Sequence, residues 1–251
     1  MIVLIDGDII TYRAGFSRST ECAMTAVGVT DTIIEDILEK LQEEVFNVYI
    51  TGAGNFRDEV AVTAPYKGNR KSAKPEFYSE IRQHLISHYS AIVAEGEEAD
   101  DIIAIEATKY GDDCIIASID KDFDQVPGWH YNFVKHKKYY VTEKEAMLNF
   151  YTQFLVGDTI DNIKGVRGIG PVKAKKLLQD CKTAKEMFDV CVDKLGYDRA
   201  VENGKLLYLR RVEGETWTPP NSRTESASGD ESACPNVSVA GDNVQTLPDL
   251  L

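Results

Sequence analysis

The sequence predicts an α/β fold: a parallel sheet flanked by helices, then a mostly helical region, then a disordered C-terminal tail. Three observations carry this. Short β-branched runs alternate with helically spaced apolar residues through the first 118 positions. Residues 142–195 carry caps and helical spacing. From residue 219 onward Ser, Thr, Gly, Pro, Asn and Asp dominate, with too few large apolar side chains to close a core.

The elements follow in order. Residues 1–4 (MIVL) end at the acidic pair of IDGD, and residues 47–50 (NVYI) are broken off by Gly52 and Gly54, so both read as buried strands. Between them Ile33, Ile34, Ile37, Leu38 and Leu41 fall at helical spacing after Asp31, which is placed as a cap. Residues 77–87 read as helix, 91–94 as strand, 99–109 as helix and 113–118 as strand. A hairpin follows at 130–134 and 139–141. Thr142 and Glu145 then form a capping box that opens a helix to about Val156, and two further helices cover 173–179 and 184–195. Ligands of such sheets sit beyond the carboxyl ends of the strands, and Asp6, Glu98, Asp100 and Asp120 all lie just after predicted strands.

With 251 residues, 43% hydrophobic and 27% charged, the chain fits one large domain or two small ones sharing a core. Collagen-like, disulfide-scaffold and wholly disordered classes are excluded. No run approaches the ~20 apolar residues of a membrane span. The expectation is therefore a soluble, cytoplasmic protein without membrane partner or signal peptide. Cys22, Cys114, Cys181, Cys191 and Cys234 are odd in number and lack CxxC spacing, which points to neither zinc nor disulfides and to a reducing compartment. The formal charge of -13 argues against a polyanionic partner until its distribution is read. From position 60 to 75 the only charges are Lys67, Arg70, Lys71 and Lys74, and from 162 to 178 they are Lys164, Arg167, Lys173, Lys175 and Lys176. These two basic islands keep nucleic acid open as a partner.

Four acidic clusters stand at strand ends or helix starts: Asp6 with Asp8; Glu98, Asp100 and Asp101; Asp120 with Asp122; Asp158 with Asp161. Taken singly, each is also what a helix cap or a solvated loop produces. Gathered at one end of a sheet they would repel one another unless cations bind, and all-oxygen donors suit hard divalent ions such as Mg²⁺. Two such ions roughly 4 Å apart stabilise the attacking and the leaving oxygen of a phosphodiester.

The segments IDGDIITYR, APYKGNRK, EGEEADDIIA, SIDKDFDQV and GDTIDNIKGVRGIGPVKAKKLL run in the order of a known family. Across about 2–178 the chain resembles the 5′-nuclease (flap endonuclease-like) superfamily, especially its short phage-type 5′ to 3′ exonuclease branch. The resemblance implies a PIN-like nuclease core at 1–141 with a short gateway near 55–75, a helix-three-turn-helix region of helix-hairpin-helix type at 142–218, and an acidic tail at 219–251. It also implies phosphodiester hydrolysis with two Mg²⁺ or Mn²⁺ ions, K⁺ at the helix-three-turn-helix, and a role in phage DNA replication, recombination or primer removal, in the host cytoplasm if phage-encoded. Carried over by position, Asp6, Glu98, Asp100, Asp101, Asp120 and Asp122 are metal-site carboxylates, Asp158 and Asp161 serve the second ion, and Lys67 and Arg70 join Asp6, Glu98, Asp100 and Asp120 in catalysis. Arg13 matches a phosphate-contacting arginine. Three departures stand out: Gly52 occupies the place of an expected Asp, Asp8 matches a position of variable polar residues, and Lys173 falls one place late.

For holding DNA, Gly165, Gly168 and Gly170 let backbone N–H groups approach phosphates, with Lys173, Lys175 and Lys176 adding charge at the helix that follows. Such contacts hold duplex without reading sequence. Tyr66 offers a ring for an unpaired base, and Lys67 and Arg70, with Lys71 beside them, could clamp a phosphate. The alternatives are a flap endonuclease, a nuclease acting on RNA/DNA hybrids, and a catalytically silent DNA-binding scaffold. A PIN-type ribonuclease would leave GVRGIG and YKGNR without a job. His84, His88, His130 and His136 are read as surface or packing residues.

Overall fold

The protein is described from a computed structural model, which covers residues 1–70 and 73–220. The expected tail from residue 221 on, Lys71 and Cys234 lie outside the described residues.

Strand β1 (Ile2–Asp6) lies at the centre of a six-stranded sheet. Strands β2 (Phe46–Thr51), β3 (Ile92–Ala94), β4 (Cys114–Ala117), β5 (Gly128–Asn132) and β6 (Lys137–Val141) complete it in the order β3-β2-β1-β4-β5-β6. All neighbours are parallel except β6, which returns antiparallel to β5. The period of two decides both faces. Val3, Ile5, Val48, Ile50 and Ile115 pack on one side with Ile10, Ile34, Ile37, Ile81 and Leu85. Those partners come from helices α1 (Gly7–Gly15), α2 (Ala23–Leu41) and, after the short α3 (Arg57–Val60), α4 (Tyr78–Tyr89). Leu4, Tyr49 and Ile116 point to the other side, against Ile103, Ala104 and Ala107 of α5 (Ala99–Tyr110).

A third apolar cluster joins α6 (Glu143–Val156), α7 (Pro171–Leu178), α8 (Ala184–Leu195) and α9 (Tyr197–Leu207). The Thr142–Glu145 capping box is formed as expected, with Glu145 N–H donating to the Thr142 hydroxyl and Thr142 N–H to the Glu145 carboxylate. Helix α7 starts earlier than expected, because Pro171 suits the first turn, where its missing N–H costs nothing. A two-residue ribbon, β7 (Gly157–Asp158) with β8 (Ile163–Lys164), was not legible from the periodicity.

One correction concerns α2. Asp31 does not cap it; the helix begins eight residues earlier, at Ala23. Asp31 instead accepts from the Tyr89 hydroxyl at 2.7 Å and lies 2.6 Å from His84 Nε2. His84 and His88 stack, so they are packing residues of α4. Cys22, Cys114, Cys181 and Cys191 are unpaired thiols. Among the described residues no helix is long and apolar enough to cross a membrane.

Candidate active site

Parallel pairing brings the carboxyl ends of β1, β2, β3 and β4 to one edge, and a cleft of about 390 Å³ opens there. Its walls carry Asp6, Asp8, Glu98, Asp100 and Asp120, with Lys67 and Arg70 facing them.

Asp6 ends β1 and caps α1, accepting from Ile9 N–H at 3.0 Å and from the Ser118 hydroxyl at 2.7 Å. Burial, and then the charge of Asp8, pushes its carboxyl up to about 7. Asp8 accepts from Thr51 N–H and from Arg82, both at 3.0 Å. Burial still leaves it above the ordinary carboxylate range. Asp100 is raised well above that range by burial and by the charges of Asp6 and Glu98. Asp120 caps the tight turn Lys121–Gln125, and burial raises it too, with Asp161 and Asp158 adding repulsion. Burial and the charge of Asp120 push Asp122 up to about 7, although Gln153 donates to it at 2.6 Å. Glu98 behaves in the opposite way: against its burial, the charges of Lys67 and Arg57 hold it below the usual range.

The second acid pair flanks the cleft. Asp158 accepts from Ile160 N–H at 2.6 Å and Asp161 N–H at 3.1 Å, which fixes the turn between β7 and β8. Asp161 in turn receives Arg70 at 2.8 Å. Lys67 donates to Glu98, and its own backbone N–H bonds the Asp161 carbonyl at 3.0 Å. The gateway is thus short and laid directly on the acids.

Four expected roles change. Asp101 is fully buried in a two-pronged ion pair with Arg57 at 2.6 and 2.8 Å, so its oxygens are committed and it is not available as a metal ligand. Tyr66 is 8% exposed, and its hydroxyl lies 2.8 Å from a Glu98 oxygen and 2.9 Å from an Asp161 oxygen, so its single proton is shared between the two carboxylates. Its ring cannot stack a base; it links the two acid groups. At Gly165 an added Cβ would stand 2.2 Å from the Val156 carbonyl, so this glycine serves close approach of two backbones, not of a phosphate. Arg13 is exposed beside Thr32 and Asp36, on a different depression from the acidic cleft.

Gly168 keeps a turn role, with φ of 79°. Open space surrounds Gly170, which precedes α7. Lys173, Lys175 and Lys176 are all exposed on that helix. At Gly52 a side chain would meet the Ala94 carbonyl at 2.4 Å, so no residue could reach into the cleft from there without a shift. Arg57, Arg82, Ser118 and Gln153 escaped the sequence reading, because a lone polar residue in a loop or helix carries no spacing signal.

The donor set fits hard divalent cations: the carboxylates are buried, mutually repelling and raised, with oxygen atoms alone on offer. Among the described residues no three of them form a ready-made cage around one point.

A parallel sheet with this acidic edge, a gateway of Lys and Arg above it and a glycine-turned helical region beside it define a 5′-nuclease fold. Residues 1–152 match the family described as "5'-3' exonuclease, N-terminal resolvase-like domain", and the chain belongs to that family. It is 29% identical over 214 residues to a 5'-3' exonuclease of Mycoplasmopsis pulmonis, covering 74% of this chain and 69% of that one. Similarity to DNA polymerase I of Chloroflexus aurantiacus is 29% over 222 residues, 75% of this chain but 23% of the polymerase. Among solved structures, the T5 D15 protein co-crystallized with metal ions superimposes with a TM-score of 0.67 at 18% identity, over 82% of this chain and 88% of that one. A second T5 D15 structure, a flap endonuclease complex with DNA and metal ions, gives 0.66 at the same identity and coverage.

Proposed function

We propose that this chain is a divalent-metal-dependent 5′ to 3′ exonuclease that hydrolyses DNA and grips duplex without reading its sequence. The observation that carries the reading is the convergence of Asp6, Glu98, Asp100 and Asp120 in one cleft with Lys67 and Arg70. Asp6, Glu98, Asp100, Asp120 and Asp122, with Asp158 and Asp161 serving the second ion, would supply the oxygens for two Mg²⁺ or Mn²⁺ ions, each ion taking one or two of these carboxylates directly and reaching the others through water. Bound there, such ions supply an activated water and offset charge on the departing 3′ oxygen.

The chain's own residues do the rest. Lys67 and Arg70 rest on Glu98 and Asp161 and can turn to the scissile phosphate, where negative charge develops. Tyr66 keeps Glu98 and Asp161 in fixed relation through one hydroxyl. Exposed Lys173, Lys175 and Lys176, with the N–H groups at the start of α7, offer duplex phosphates a site remote from the cut. The T5 D15 complex with DNA and metal ions supports this reading.

The test is digestion of end-labelled linear duplex, 5′ flap, RNA/DNA hybrid and closed circle, with Mg²⁺ or EDTA. Exonuclease action releases 5′-phosphorylated products from ends, spares the circle and stops in EDTA. Cutting confined to the flap junction would assign a flap endonuclease. Binding without any hydrolysis would assign a silent scaffold and sink the proposal.

A further inference from the structure

Beside Asp6 and Asp8 at the end of β1, two loops carry acids of the site: residues 97–101 before and into α5, with Glu98 and Asp100, and the turn Lys121–Gln125 after Asp120, with Asp122. Both are held from outside the sheet by one stretch of chain, residues 206–211, more than eighty positions further along.

Arg57 is 1% exposed, and its donors have fixed destinations. Two prongs go to Asp101, Nε donates to the Leu206 carbonyl at 2.9 Å, and a terminal nitrogen donates to the Tyr208 carbonyl at 2.8 Å. Asp101 passes the restraint on, since it accepts Glu98 N–H and Arg210 N–H, each at 3.2 Å. Arg210 lies over the Phe56 ring at 3.8 Å and donates to Glu97 at 2.7 Å. On the second loop, Gln125 donates to the Leu207 carbonyl at 2.9 Å and accepts Leu209 N–H at 3.0 Å, while Arg211 donates to the Gln125 carbonyl at 2.6 Å.

A buried ion pair adds little stability over a well-packed apolar pair, so stability alone is a poor account of Arg57. What a forked guanidinium with four hydrogen bonds to three residues does supply is fixed geometry. We propose that residues 206–211 act as a strap that sets the spacing of the Glu98/Asp100 loop against the Asp120/Asp122 loop, with Arg57 as its positioning residue. The role of those acids in holding metal rests on the function proposed above.

The experiment compares the full chain with Arg57→Lys, which keeps the charge and loses the fork, and with Arg210→Met, which loosens the strap at its edge. Mn²⁺ binding to the free protein is read by electron paramagnetic resonance, alongside single-turnover cleavage across Mg²⁺ concentrations and DNA affinity in Ca²⁺. A group that orients metal ligands typically shifts affinity or activity about 10–100-fold, so Arg57→Lys should weaken Mn²⁺ binding and slow cleavage by about that range, with DNA affinity within about two-fold. Arg210→Met should move the same two readouts in the same direction by a smaller factor. Should Arg57→Lys fail to fold, Arg210→Met decides. Folded variants with wild-type Mn²⁺ affinity would overturn the strap and leave these contacts structural. A wild-type chain that binds Mn²⁺ and cleaves nothing would sink the nuclease reading, while the Mn²⁺ titrations would still decide the strap.

Discussion

Asp100 and Asp120 are raised by burial among like charges, so each is an oxygen donor whose negative charge needs a cation. Replacing either by Asn keeps the shape and removes the charge. Single-turnover cleavage should fall at least about 100-fold while DNA binding stays within about three-fold, because the basic residues remain. Wild-type turnover in Mg²⁺ for either variant would refute its place in the site. Lys67→Ala is expected to slow the chemical step more than binding, since Lys67 lines the cleft proposed to hold the scissile phosphate. Saturating enzyme separates the two effects: a defect of chemistry survives saturation and a defect of binding does not.

At the scale of elements, α7 and the β7–β8 ribbon do different work around the same glycine-rich segment. Removing charge at Lys173, Lys175 and Lys176 should weaken DNA binding and lower its salt slope by roughly one unit per lost phosphate contact, with saturated turnover unchanged. A salt titration of binding checks it. Gly165 directly follows β8 of the ribbon, where a Cβ would meet the Val156 backbone at 2.2 Å. Gly165→Ala should therefore cost about 1–3 kcal/mol in urea unfolding, as overpacking does. If instead DNA affinity fell and stability held, Gly165 would be a phosphate-contacting residue after all.

For the whole molecule, the acidic edge links stability to pH. Asp6 and Asp122 are pushed up to about 7 in the folded protein, whereas an exposed carboxylate titrates near 4. The folded state thus keeps protons that the unfolded chain releases. The stability this confers is fully present below about pH 4 and is lost as pH rises through about 7. In EDTA the melting temperature should fall across that window. Mg²⁺ should restore it, and by more at pH 8 than at pH 5, because ions bind the deprotonated acids of the folded state. A melting temperature indifferent to Mg²⁺ at pH 8 would count against a metal site at this edge.

The alternation of strand and helix through residue 118, the capping box at Thr142 and the acid clusters at strand ends were legible in the sequence, because each depends on local spacing. The order of five matched segments sufficed to show the chain's resemblance to its family. Tertiary structure decided what local spacing cannot express. Asp101 sits beside Asp100 in the sequence, yet the rotation of about 100° between consecutive helical residues sends it to Arg57, 44 positions away, and leaves Asp100 in the cleft. Tyr66 looked like an exposed ring because it lies in a basic segment, but α6 to α9 bury it and turn its hydroxyl to Glu98 and Asp161. Partners this far apart in the chain are chosen by packing, and a sequence pattern records only which residues are available to be chosen.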